Sequence, residues 1–277
     1  MIKTPDSIDS TNSRNSINQL PLIEYKNITL LRGSRKALDN LSLRINTGEN
    51  VAILGPNGAG KSSLIKTITR ELYTFEDTRG SYLRILGKER WNVSELRQQL
   101  GIVSPEVVKS RFYDFNCGDI VLSGFFGSSG VWAYQEITPA MRKKVKSVMK
   151  FLGIYHLADT SIDEISTGES RLVTIARALV NGPMTMLLDE PTSSLDPHAT
   201  RKLRLKLSKI AKSGTGIVMI THNLSDILPE IQRVILIKGG RVFLDGEKED
   251  ILTAANLSKL FGGKVGLMRR GGYYYCW

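Results

Sequence analysis

"VAILGPNGAGKSSLIKTI", residues 51 to 68, decides the fold. Four apolar residues run into a glycine-rich turn, and an amphipathic helical pattern begins at Lys61. Gly55 to Ser62 fits the phosphate-binding pattern G-x-x-x-x-G-K-[ST]. Gly58 and Gly60 let the backbone turn its amides inward around β- and γ-phosphates, with Gly55, Pro56, Asn57 and Ala59 completing the loop. Lys61 supplies a point charge to the phosphate oxygens, and the Ser62 hydroxyl can ligate Mg²⁺, with Ser63 beside it. An accidental match would not require an apolar strand before the turn and a helix after it. Both are present, so a nucleotide triphosphate with Mg²⁺ is the expected ligand.

Working outward, "MTMLLDE" and "GIVMITH" are short, near-continuous apolar runs, as strands buried on both faces of a parallel sheet require. Helical segments alternate with them, which predicts an α/β fold. Before the loop, "LIEYKNITLL" and "LSLRI" read as strands, and "RVILIKGGRVFLDGE" reads as a hairpin turning at Gly239-Gly240. Between about Val107 and Glu164 strand runs stop and helices take over. The expected organisation is a disordered, Ser/Asn/Asp/Thr-rich tail over 1–20 and one nucleotide-binding domain over 21–262. A helical insertion occupies about 107–175 of that domain, and a tail without periodic pattern follows over 263–277.

The totals are compatible with this. A chain of 277 residues can bury a large core, and no apolar run approaches the roughly 18 residues that span a bilayer. Residues 1–20 lack the apolar centre of a secretory signal. Cys117 and Cys276 stand at no metal-ligand spacing, and a reduced, cytoplasmic setting is expected. The formal charge of +11 raises nucleic acid or an anionic membrane as partners. Its densest stretches, "MRKKVKSVMK" (141–150) and "RKLRLKLSKIAK" (201–212), are better explained as solvated helix faces, so nucleic acid is not favoured.

Further motifs carry chemistry. Asp189 closes a buried strand, where a carboxylate can hold Mg²⁺. Glu190 follows it; strand alternation frees it from the metal, so it can act as general base on the attacking water. Asp196, in "PTSSLDP", is expected on the same rim of the sheet. His222 ends "MITH", where ligands of open α/β sheets collect, and is placed to bond the γ-phosphate or the attacking water. His156 and His198 are read as structural. "EISTGESRL", 164 to 172, opens a helix. Ser166 and Glu169 have capping-box spacing, but a cap does not call for Gly168. Bare amides at a helix N-terminus also bind phosphate.

As a set and in order, "GPNGAGKSS", "ISTGES", "MLLDEPTSSLD" and "ITHN" resemble the nucleotide-binding subunits of ATP-binding-cassette (ABC) proteins, over roughly Leu22 to Gly262. The resemblance implies a P-loop NTPase core with a mixed, mostly parallel sheet. An N-terminal antiparallel β-subdomain and an inserted α-helical subdomain carrying the signature motif would complete it. It implies ATP and Mg²⁺ as ligands and ATP hydrolysis as the activity. Ser166, Gly168 and Glu169 would face the phosphate bound by a second copy or a related subunit in a head-to-tail dimer. Asp196 joins the nucleotide contacts on the same ground. Arg32 aligns near the adenine-stacking aromatic, and a planar guanidinium can stack similarly.

The chain departs from the family pattern in places. Thr167 replaces a glycine and Glu169 a glutamine. Near Pro105 a glutamine that senses Mg²⁺ and contacts the membrane partner is missing, and Pro offers no side-chain donor or carbonyl. Stretches such as "LRILGKERWNVSELRQQLGIVS" resemble the molybdate-type transport branch. The expected function is an ATPase that energises a membrane permease from the cytoplasmic face of the membrane. The alternative is a cassette ATPase without a membrane subunit, regulating a nucleic-acid or protein assembly.

Overall fold

The computed structural model describes residues 21–73, 80–104, 115–128 and 130–277. In chain order the strands and helices are β1 (Pro21–Arg32), β2 (Arg35–Asn46), β3 (Val51–Leu54), α1 (Lys61–Ile68), β4 (Tyr82–Ile85), α2 (Val93–Gln99), β5 (Gly101–Val103), α3 (Cys117–Leu122), α4 (Pro139–Leu152) and α5 (Thr167–Leu179). There follow β6 (Thr185–Asp189), α6 (Pro197–Lys212), β7 (Gly216–Thr221), β8 (Arg233–Lys238), β9 (Arg241–Glu247), α7 (Lys248–Ile251), α8 (Ala254–Phe261), β10 (Leu267–Arg270) and β11 (Tyr273–Cys276).

The central sheet runs β5-β6-β7-β3-β8-β9. Its neighbours pair in parallel until β9, which returns antiparallel to β8 as the hairpin around Gly239-Gly240. The apolar runs are continuous because alternate side chains feed two separate cores. Val51, Ile53, Val218, Ile220, Ile235 and Ile237 pack under the antiparallel sheet β2-β1-β4 and α1. Ala52, Leu54, Met219, Val234 and Leu236 pack with the helices α3 to α6. A polar residue at either parity would bury an unpaired group, so neither face can alternate with polar positions.

The expected helical insertion is borne by α3 and α4, and α5 carries the chain back to the sheet. Thr138 caps α4, Pro139 opens it, and left-handed Gly153 ends it. Beside that C-terminus the two basic stretches meet. Lys209 Nζ, on α6, donates to the Phe151 carbonyl at 3.4 Å, and Lys146 and Lys150 lie 5.3 and 5.6 Å from the Tyr155 ring centre. Cations around a helix C-terminus complement its dipole, which accounts for part of the basic surface without a partner.

Beyond Gly262 the structure differs from the expected tail. β10 and β11 pair antiparallel across Gly271-Gly272, with φ of 59° and 82°. These match the 57° and 76° of Gly239-Gly240 and suit a two-residue hairpin turn. Tyr274 is buried in the main core. The expected disordered tail, 1–20, and Pro105 lie outside the described residues. Among the described residues, no helix is long and apolar enough to cross a membrane.

Candidate functional site

The loop between β3 and α1 is shaped by its neighbours. A Cβ on Gly55 would stand 2.4 Å from the Ile237 carbonyl oxygen, so the turn can pass over β8 only as glycine. Gly60 has φ 108° and a Cβ there would meet the Ala37 carbonyl at 2.5 Å. Lys61, 5% exposed, folds back and donates to the carbonyls of Gly55 and Pro56 at 2.8 and 3.0 Å. Burial lowers its pKa, and the negative charges of Glu190 and Asp189 oppose that shift. A polar, open cleft of about 440 Å³ lies over the loop, lined by Asn57, Gly58, Lys61, Ser62, Arg32 and Glu190 among others. Arg32, expected beside the nucleotide, is one of the residues that line this cleft.

Arg35 lines the same cleft and was missed. It pairs directly with Arg32 across the β1–β2 turn, which puts both side chains on one face. The signal was the hairpin register, not the residue type.

At the sheet's carboxyl edge, β6 and β7 are neighbours in register, with Asp189 beside Ile220. Glu190 adopts φ 42° and donates its N–H to the Ile220 carbonyl at 2.8 Å. Pleat alternation had been the expected reason for its divergence from Asp189. The structure supplies another: a left-handed residue just past the strand end, a conformation rare for non-glycine residues and common at functional sites. Glu190 Oε1 lies 2.9 Å from His222 Nδ1, and both side chains remain open to solvent. The chain thus gathers a buried cation, two acids and an imidazole at one end of the sheet.

A second, smaller cleft of about 150 Å³ lies between the N-termini of α5 and α6. Ser166 caps α5 in a complete capping box. Its Oγ accepts from the Glu169 N–H at 3.3 Å and donates to Glu169 Oε2 at 2.6 Å, and its N–H donates to the same oxygen at 3.0 Å. The Ser166 hydroxyl, before all other causes, holds the Glu169 carboxyl below its ordinary pKa. Gly168 does have a local reason after all: a Cβ there would stand 3.0 Å from Ala199 Cβ. Asp196 caps α6 by accepting from the Ala199 N–H at 2.9 Å, which lowers its pKa. Ser166, Gly168, Glu169 and Asp196 therefore come together, joined by His198 and Lys202, which were not singled out as ligands. Among the described residues, none lines both clefts.

The ABC transporter family profile matches residues 38–193, more than half of the chain and both strand-end acids. The chain belongs to that family. It is an ABC-type ATPase, with the nucleotide-binding fold of its relatives. The hemin import ATP-binding protein HmuV of Aliivibrio fischeri is 33% identical over 88% of this chain and 91% of that protein. The structure of the ADP conformation of MJ1267, an ATP-binding cassette of an ABC transporter, superposes with TM-score 0.73 and 25% identity, over 88% of this chain and 98% of that one. A dimeric post-hydrolysis state of the cassette MJ0796, bound to ADP and phosphate, gives 0.66 and 26% over 81% and 98%. These likenesses hold at the level of the ABC cassette and do not single out the molybdate-type branch.

Proposed function

We propose that this ABC ATPase closes head to tail on ATP with a second copy or a related subunit, and that closure and hydrolysis drive a membrane permease docked on the cytoplasmic side. The observation that carries the reading is the division of the motif residues between two clefts that share no lining residue. One chain offers a phosphate loop with no signature residue beside it, and a signature cleft with no loop. A second subunit supplies each with its complement.

In this reading Lys61 and the first amides of α1 hold the β- and γ-phosphates, and Arg32 stacks on adenine with Arg35 alongside. The Glu190 carboxylate accepts the proton of the water that attacks the γ-phosphorus. His222, already 2.9 Å from Glu190, holds that carboxylate and the transferred phosphate in line. The Ser62 hydroxyl and the Asp189 carboxylate are hard oxygen donors, suited to Mg²⁺, which is commonly held by one or two protein groups plus substrate phosphates. Mg²⁺ held there would supply positive charge to offset that of the phosphates. Across the interface, Ser166, Gly168 and Glu169 close over the partner's γ-phosphate, and Asp196 braces the edge of the same cleft.

The test mixes a Ser166→Arg chain with a Lys61→Ala chain. Each is expected to be inactive alone. Together they form one site with both lesions and one with neither, and turnover should partly recover. A wild-type and Glu190→Gln mixture measures whether one site can work alone. If it can, and the first mixture stays dead, the signature acts within its own chain and the reading is wrong.

A further inference from the structure

The last residues of the chain reach the catalytic edge through a continuous polar relay. Thr221, 1% exposed, immediately precedes His222. Its hydroxyl accepts the Asn223 N–H at 3.0 Å and donates to Asp226 Oδ2 at 2.8 Å, so one side chain fixes the backbone on both sides of His222. The other oxygen of Asp226 accepts from Arg204 Nη2 on α6 at 3.0 Å, and the same nitrogen reaches Ser225 Oγ at 2.7 Å. Asp226 is buried and Arg204 largely so, with side-chain exposures of 3% and 13%. Arg204 Nε makes no hydrogen bond. The guanidinium faces the Tyr273 ring of the C-terminal hairpin at 5.7 Å.

The hairpin is anchored around that contact. Tyr274 is 5% exposed, Gly272 packs so closely on Pro229 that a Cβ would stand 3.0 Å from its Cγ, and Gly266 and Trp277 exchange backbone hydrogen bonds. A buried guanidinium with an unbonded Nε depends on its remaining contacts for a fixed position. Asp226 depends on that guanidinium, and the Thr221 bracket depends on Asp226.

We infer that Tyr273 of the C-terminal hairpin is a positioning residue for hydrolysis, holding Arg204, Asp226 and Thr221 so that His222 stays aligned with Glu190. The inference rests on the proposed role of His222. Tyr273 touches neither the phosphate loop nor the cleft above it. The chemical step therefore depends on the hairpin, while nucleotide binding does not. A misplacement of about 1 Å can cost roughly a hundredfold in rate. Loss of one relay contact is expected to cost about tenfold in kcat, with KM and Kd for ATP within about twofold.

The experiment measures kcat, KM and ATP affinity of full-length Tyr273→Ala, Tyr273→Phe, Thr221→Val and the Tyr273→Ala/Thr221→Val pair, with His222→Ala alongside. Tyr273→Ala should lose kcat alone and Tyr273→Phe should retain it. The pair should be no worse than the more damaging single variant, because both break one relay. Should Tyr273→Ala fail to fold, Tyr273→Leu keeps the buried bulk without the ring and takes its place. Wild-type kcat in a folded Tyr273→Ala or Tyr273→Leu chain, a fall in ATP affinity equal to the fall in kcat, or fully additive losses in the pair would each overturn the relay. An unimpaired His222→Ala would instead remove the site reading on which the relay rests.

Discussion

The two clefts are built on opposite plans. The phosphate loop is held open by close backbone approaches, Gly55 against the Ile237 carbonyl and Gly60 at φ 108° against the Ala37 carbonyl, and by the Lys61 side chain tied to two carbonyls of its own loop. Its charge is concentrated and its mouth is wide. The signature cleft is held by side chains that satisfy one another, Ser166 with Glu169 and Asp196 with the Ala199 amide. Ser166, Glu169 and Asp196 all find their partners inside their own chain. One cleft is thus prepared for a ligand by geometry, and the other is a stable helix start whose second use, in the proposed dimer, would come only when a partner is laid against it.

The contrast breaks or holds first at Glu190. Glu190→Gln keeps size and the left-handed turn but cannot accept a proton. Turnover should fall by about 10² to 10⁴, while ATP binding persists and an ATP-bound dimer accumulates, read by size exclusion with light scattering. Wild-type turnover would remove the base and leave the prepared cleft as a binding site alone.

Next in size is a matched pair of glycine substitutions. Gly60→Ala forces a Cβ to 2.5 Å from a carbonyl oxygen at φ 108°, with strain of about 1–3 kcal/mol. ATP affinity should drop by roughly tenfold or more. Gly168→Ala puts its Cβ 3.0 Å from a methyl group, which a shift of a few tenths of an ångström relieves. Its ATP affinity, measured by calorimetry on the monomer, should stay within about twofold of wild type. Equal losses in the two variants would mean that both clefts serve the same bound nucleotide of one chain.

What was legible follows the same division. The phosphate loop was readable because its chemistry is contiguous: one strand, one turn, one helix, with each residue type fixed by its neighbours in sequence. The paired cores were readable too, since β3 and β7 carry apolar residues at both parities. Arg35 was not, because its place beside Arg32 is a matter of hairpin register. Gly168 was credited to phosphate alone because Ala199 is thirty-one positions away in sequence. The C-terminal hairpin was missed although Gly271-Gly272 repeats the turn signal of Gly239-Gly240. Three successive tyrosines do not alternate apolar with polar, and the hairpin packs through Gly272 on Pro229 and Tyr273 on Arg204, both supplied by distant segments.

The smallest expected effect tests the double use of the cap. Glu169→Gln keeps a side chain able to serve the capping box but removes its charge. The Glu169 carboxyl has a lowered pKa in the folded chain, chiefly through Ser166, with Lys202 and His156 adding to the shift. A depressed native pKa means that the ionised form is favoured by folding. That stabilisation is therefore whole above the ordinary value of 4.5 and disappears as pH falls through the lower native value. At neutral pH the variant should lose about 0.3–1 kcal/mol, the worth of a charge at an exposed helix N-terminus. The gap to wild type in denaturant unfolding should close below the carboxylate range. In the proposed closed dimer the same carboxylate would face the partner's triphosphate, where its charge would be repulsive. Turnover at low ATP should therefore rise modestly in the variant while stability falls. Opposite signs from one substitution separate the two uses, and a stability loss with no gain at low ATP would leave the capping role alone.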